Sequence, residues 1–310
     1  MPSHDFQLWF LISLWAECDI MRLDEQALHQ VHRPADGEGE SFVEFASWRT
    51  IADYYFGRVP IAHAMFRVAE LEPLAGLRMR RPVLEIGCGR GEFAEAAILS
   101  TIDYGIDISG KDIAIAEQSG KFGRVCCADA RSLPFADNSF ATAISISVLE
   151  HIEHPGEVIA EAYRVLAPGG SFVATIVLSD IHDCSAVSRL LKRLGMNRTE
   201  KVYRSILNLI FCHRTLLNRD HWAAILQTTG FTVIEMQRIV PPTVIANWER
   251  RLITAWPYRI SHRVAKVLAS RNGESKVRCF ETIRQMIQQW RDDGERQGAC
   301  LFIRAQKPAV

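Results

Sequence analysis

Residues 83–93 read VLEIGCGRGEF, an apolar run that ends on an acid and breaks into three glycines set two apart. The branched and apolar residues before Gly87 suit a buried parallel strand. Gly87, Gly89 and Gly91 suit a turn that needs positive φ or bare backbone against a ligand. The stretch EFAEAAILS then reads as a helix whose first amides, near Glu92, point into the turn. Strand, glycine turn and helix together predict a nucleotide-type pocket in an α/β fold. The dinucleotide spacing GxGxxG fails, because Glu92 stands where its third glycine belongs, so a nicotinamide dinucleotide is disfavoured. What remains is ExGxGxG, with Glu85 at a strand end where an acid attracts a cation.

The following units continue the pattern at the right distances. TIDYGIDIS ends in Asp107, twenty residues after Gly87, where a doubly wound fold presents a carboxylate to ribose hydroxyls. After the helical KDIAIAEQSG, the stretch GRVCCADARSLPF predicts a third short strand closed by Asp129, whose carboxylate can accept from an adenine amine. The fourth unit, FATAISISVLEHIEHPGEVIAEAYRVLAPGGSFVATIV, predicts a strand, a loop with His151, an amphipathic helix, a Pro-Gly-Gly turn and a fifth strand.

From Arg81 to about Val177 the chain resembles the class I S-adenosylmethionine-dependent methyltransferases, of the group with LEH and RVLxPGG signatures. It departs from the family pattern at Ala141, where an acid is usual. The resemblance implies S-adenosylmethionine as cofactor, with Glu85, Gly87 and Gly89 at its methionine end and Asp107 at the ribose. It further implies Asp129 and the amide of Ala130 at the adenine and Ser147 beside the sulfonium. Cys88, Gly91 and Ile108 complete the implied cofactor-binding set.

The implied fold is α/β, a doubly wound, Rossmann-like sheet of seven mostly parallel strands with an antiparallel last strand and helical cap insertions. NRDHWAAILQTTGFTVIEMQRI reads as a helix capped by Asn218 or Asp220, a glycine stop and a sixth strand. GACLFIRAQKP reads as the seventh, by resemblance antiparallel between the fifth and sixth. A methyltransferase domain over 41–310 then has its catalytic core at 81–178, 218–239 and 298–307. Residues 179–217 and 240–297 are left as insertions, and the connections that carry them leave from the carboxyl edge of the strands, so both are expected to cap the site.

Composition narrows the rest. Lys+Arg and Asp+Glu number 36 each, and the zero formal charge disfavours a nucleic-acid partner. Eight cysteines without a CxxC pair or zinc spacing suit a reduced, cytoplasmic protein with no metal, and adjacent Cys126 and Cys127 read as small buried hydrophobes. FQLWFLISLW near the N-terminus is too short to span a bilayer. Residues 1–40 read as an amphipathic extension, with 33–41 a linker, that either packs on the domain or makes peripheral membrane contact. The helices expected before the first strand, broken at Pro60 and Pro73, carry Tyr54, Tyr55 and His63 as candidates to line the pocket. In the second insertion Trp248, Trp256 and Tyr258 stand among arginines, which suits an anionic or lipid-linked substrate, a membrane surface, RNA or a solvated helix face.

The expected activity is methyl transfer to oxygen on a small or lipid-linked molecule. The alternatives are transfer to carbon or nitrogen of a quinone-like or amine acceptor, and a non-catalytic cofactor-binding scaffold. His151 is the candidate general base by position. The pair His182 and Asp183 comes next, then His213 and His221.

Overall fold

A computed structural model of the chain describes residues 42–255, 273–294 and 297–309. The N-terminal extension, its linker, Trp256 and Tyr258 lie outside the described residues. Two short strands, β1 (Phe42–Glu44) and β2 (Arg78–Arg80), pair antiparallel in a small separate sheet. Between them run helices α1 (Trp48–Arg58) and α2 (Ile61–Glu70). The sequence reading placed only helices here. Three-residue strands offer too few alternating positions to announce themselves.

The main sheet contains β3 (Val83–Ile86), β4 (Ile102–Asp107), β5 (Phe122–Cys127), β6 (Phe140–Ile146), β7 (Leu166–Val177), β8 (Thr232–Ile239) and β9 (Cys300–Gln306). Their order is β5-β4-β3-β6-β7-β9-β8. Neighbours from β5 to β7 pair parallel, and β9 runs antiparallel to both β7 and β8. This is the doubly wound, seven-stranded Rossmann-like sheet with an antiparallel last strand.

Strand alternation divides the interior into two cores. Leu84, Ile86, Phe172, Ala174 and Ile176 face one core, with α5 (Pro155–Val165) and α9 (Arg219–Thr229). Val83, Ile144, Val173 and Val177 face the other, with α1, α2 and α3 (Glu92–Ala97). Helix α4 (Gly110–Gln118) links β4 to β5. Helices α6 (Ile181–Cys184), α7 (Ala186–Arg193) and α8 (Asn197–Ile210) follow β7. After β8 come α10 (Pro242–Ala255) and α11 (Gly273–Asp292). Helix α11 packs back on the helices before the sheet, with Trp48 and Phe280 rings 4.7 Å apart and Arg291 on Glu72 at 2.8 Å.

Three local expectations are corrected. The helix after the glycine turn stops at Ala97 rather than Ser100, because Ile98 turns extended and bridges Phe45. The third strand ends at Cys127, two residues before Asp129. The Pro-Gly-Gly segment is not a turn ahead of the fifth strand but a bulge within β7. Pairing with β6 passes from Phe140 opposite Leu166 to Thr142 opposite Ser171. A Cβ at Gly170 would lie 2.7 Å from the Ala167 carbonyl, so the bulge closes only on glycine.

Phe140 shows how the sheet is anchored. It is fully buried and meets the rings of Phe135 and Tyr104 edge-on at 5.0 and 5.6 Å. Phe140→Ala is expected to destabilise the fold by about 3–5 kcal/mol through lost transfer energy and a residual cavity. Urea unfolding checks this as a lowered midpoint with an unchanged slope.

Candidate active site

The glycine turn follows β3 with φ of +76° at Gly87, +51° at Gly89 and +84° at Gly91. The amides of Gly87 and Cys88 both donate to the Ile106 carbonyl at 2.8 Å, which fastens the turn to β4. A Cβ at Gly87 would stand 2.5 Å from Val148, so the turn lies directly against the residue two past the end of β6. At Gly89 a Cβ would meet nothing within 4 Å, and this is the open side of the turn. Cys88 contributes backbone alone: its thiol is buried against Gly105 and pushed up by that burial.

Asp107, at the end of β4, joins the turn. Its Oδ2 accepts from the Gly89 amide at 2.8 Å and its Oδ1 from the Ser109 amide at 2.9 Å. Burial raises its carboxyl, opposed by the amides of Ser109, Gly89 and Ile108, which leave part of its accepting capacity for a ligand. Ile108 beside it is 53% exposed. Past β5, Asp129 is held by its own loop, with Arg131 Nη2 at 2.7 Å holding its carboxyl below the usual range. The Ala130 amide has no backbone partner among the described residues.

Behind the turn lies a group of buried charges. With Leu84 and Ile86 committed to one core, Glu85 faces the other side, towards α2. It is 2% exposed and its Oε2 has no partner. Burial and then Asp107 push its carboxyl well up, with Arg67 opposing. From α2, Arg67 donates to Glu70 at 2.6 Å, and the fully buried Glu70 also accepts from Thr175 Oγ1 at 2.6 Å and from the Ser147 hydroxyl. Ser147 sits at φ +53° with its amide on the Thr175 carbonyl at 2.9 Å. Glu150, also buried with Oε2 unpartnered, has its carboxyl pushed up to about 8 by burial. Arg67, Glu70 and Glu150 were missed by the sequence reading. The available signal for Arg67 and Glu70 was an Arg and a Glu three apart on an otherwise apolar helix with Met65, Val68 and Ala69.

A second cluster lies beside the first. His151, in the short turn after β6, places Nδ1 3.2 Å from the Cys212 carbonyl, and burial lowers its pKa. The His213 ring stands 5.7 Å away, with its pKa lowered to about 4 by burial, then by His151 and His182. His182 and His213 line a small cavity with Ile181, Leu207, Phe211 and Trp248, drawn from α6, α8, α10 and the loop after α8. His182 is 6% exposed, with the polar side chain of Asn208 close to its ring, and burial lowers its pKa. Glu249, at the cavity edge, is saturated by Ser185, Tyr203 and the Ala186 amide.

Other candidates separate from these clusters. Asp183 points to Lys192 at 2.7 Å and Arg204 at 3.1 Å on the surface, away from its neighbour His182. His221 binds Asn218, the cap of α9, and is exposed. Tyr54 donates to Glu95 at 2.7 Å, and Tyr55 is packed in the core beneath Arg67. His63 keeps solvent access, though burial and Arg67 lower its pKa to about 4.

The methyltransferase-domain family matches residues 84–174, which contain the glycine turn, Asp107, Asp129 and Ser147. The O-methyltransferase rstn1 of Aspergillus nomiae is 31% identical over 177 residues, covering 54% of this chain and 71% of that protein. The chain belongs to the class I S-adenosylmethionine-dependent methyltransferases. A malonyl-acyl-carrier-protein O-methyltransferase of Alcanivorax borkumensis is 30% identical over 146 residues, 43% of this chain and 50% of that one. A solved methyltransferase from Thermotoga maritima aligns over 84% of this chain and 92% of its own with TM-score 0.45 and 18% identity. The chain spans about half the length of two curated relatives it matches, 45% of one and 50% of the other. S-adenosylmethionine is the family's cofactor, and three features of the site fit it: the open side of Gly89, the unpartnered Ala130 amide and the orphaned oxygen of Glu85.

Glu150 generates a pH prediction. Its carboxyl is raised from an ordinary 4.5 to about 8, so the folded protein holds this proton more tightly than the unfolded chain. The associated stability is fully present below pH 4.5 and is lost as pH rises towards 8. Glu150→Gln is expected to flatten that part of the melting temperature's fall between these limits, as read by thermal unfolding across pH.

Proposed function

We propose that the chain transfers the methyl group of S-adenosylmethionine to an oxygen of a small molecule, free or lipid-linked. The observation that carries this reading is the meeting, at one sheet edge, of buried carboxylates short of a cation with imidazoles that burial keeps neutral. The domain is read as 41–310, with 179–217 and 240–297 forming its cap.

On this reading the backbone from Gly87 to Gly91, Cys88 included, cradles the methionine end, and Glu85 receives its ammonium. Asp107 accepts from the ribose hydroxyls with its remaining lone pairs, and Ile108 covers the base with apolar surface. The Ala130 amide and Asp129 take the adenine edge, and Ser147 stands beside the sulfur. Bound there, S-adenosylmethionine supplies a methyl group already activated on a positive sulfur, so alignment is most of what the protein adds.

His151 supplies the proton chemistry. With Nδ1–H donating to the Cys212 carbonyl, Nε2 is left as the acceptor, and burial keeps the ring neutral enough to take a hydroxyl proton. A neutral amine needs no such base. Two relatives named O-methyltransferases favour oxygen as well.

Calorimetric titration tests the cofactor site. S-adenosylmethionine and S-adenosylhomocysteine are expected to bind and NAD is not, and Asp107→Ala is expected to weaken both by about 1.5–3 kcal/mol. Affinity unchanged by that substitution would remove Asp107 from the site. For the base, His151→Gln is expected to lower kcat on a hydroxyl acceptor on the order of a hundredfold with cofactor affinity unchanged. Because the ring's pKa is lowered, the acid limb of the wild-type kcat profile should lie below pH 6.5. A variant as fast as wild type at every pH would move the reading to a nitrogen or carbon acceptor.

A further inference from the structure

Helices α7 and α8 form a hairpin whose outer side is apolar and has nothing packed on it among the described residues. Leu190 lies on α7 and Leu194 at its C-cap four residues on, and Val202, Ile206 and Leu209 follow one face of α8. Leu194 is 63% exposed, Val202 58% and Leu209 70%, and residues 192–199 are all exposed. Scattered single apolar residues at a surface are ordinary, but a contiguous patch of this kind marks an interaction site.

The charge of the hairpin is as one-sided as its exposure. Within residues 186–210 six side chains are Lys or Arg, and the one carboxylate, Glu200, is buried and paired with Arg204. Lys192 and Arg204 meet Asp183. Arg193, Arg198 and Lys201 have no carboxylate partner among the described residues, and all three are exposed beside the apolar face. The whole chain carries no net charge, so this local excess is not an average property of its surface.

We propose that the outer face of the α7–α8 hairpin docks on an anionic lipid surface, with the leucines entering the headgroup boundary and Arg193, Arg198 and Lys201 meeting lipid phosphates. Apolar residues flanked by cations on amphipathic helices match that surface in both respects. A second copy of the chain matches poorly, since a twofold contact would set the cations against themselves. RNA would leave the leucines in water. The inner side of α8 places Leu207 on the cavity wall, so the proposed docking face and the cavity lie on opposite sides of one helix. No helix among the described residues is long and apolar enough to cross a membrane, which makes this a contact made from one side. The inference goes beyond the methyl-transfer reading and does not depend on it.

Co-sedimentation of the full chain with phosphatidylcholine vesicles, with and without phosphatidylglycerol, tests the proposal. Binding is expected only with the anionic lipid and is expected to weaken as salt rises. R193Q/R198Q/K201Q should lower partitioning on the order of a hundredfold. L194E/L209E should abolish it, and thermal unfolding of both variants controls for folding. Three results overturn the proposal. One is binding equal on both vesicles or indifferent to both variants. Another is a dimer in light scattering that L194E/L209E dissociates, which would assign the face to a second copy. The third is vesicle binding that appears only after removal of residues 1–41, which would assign it to that segment.

Discussion

Glu70 is where the helices that precede the sheet meet its carboxyl edge. A carboxylate taken wholly out of water costs several kcal/mol unless it is paired and its lone pairs are filled. Glu70 meets both conditions, with Arg67 on its own helix, Thr175 from β7 and the Ser147 hydroxyl from the end of β6. The hydroxyl is held while Ser147 adopts a left-handed backbone, and the next residue, Val148, packs where a Cβ of Gly87 would stand. The shape of the glycine turn therefore depends on a side chain contributed by α2. Removing Glu70 alone would take from the buried Arg67 its ion-pair partner and from Ser147 and Thr175 their acceptor, so the helix and the turn are coupled energetically.

What the sequence made legible were requirements written in consecutive residues. Positive φ at Gly87, Gly89 and Gly91, an acid ending β4, and the Asn218 cap and Gly230 stop of α9 are each local backbone demands. The Glu70 junction was not legible for the opposite reason. Its partners lie 77 and 105 residues away, and Arg67-x-x-Glu70 in isolation reads as an ordinary helix-surface pair. The same non-locality misled the reading of Pro168–Gly170, whose residues signal a turn although pairing with β6 resumes beyond them and makes a bulge. It also misled the reading of α3, where contact with Phe45 overrides the helical character of residues 98–100. The small cavity had no sequence signature, because its walls come from four separate segments.

Net charge speaks at one scale only. A net charge of zero is the sum of a basic hairpin, an acidic cluster under the sheet edge and a remainder that balances them. Only the last is a bulk property. An overall count speaks to solubility and to partners that engage the whole surface, whereas docking and cofactor capture act over a Debye length of about 10 Å or less. Segment-by-segment counting would have set 186–210 apart from its sequence alone, but not the buried group, whose members are dispersed along the chain.

The buried group and the cavity beside it treat protons in the same way for different ends. Burial pushes Glu85 and Glu150 up and His151, His182 and His213 down, so both clusters tend towards neutrality when nothing is bound. In the carboxylate group that neutrality is reversible. A cation arriving beside Glu85 lowers the cost of its ionised form, and three carboxylates against the single guanidinium of Arg67 leave room for more than one positive charge. On the proposed reading that favours the methyl donor, with ammonium and sulfonium, over its demethylated product, which keeps only the ammonium. Among the described residues no Lys or Arg lines the cavity and its one carboxylate is saturated, so burial holds its histidines towards the neutral form. On the proposed reading one sheet edge thus holds a compartment that becomes charged when the cationic donor binds, next to one that does not.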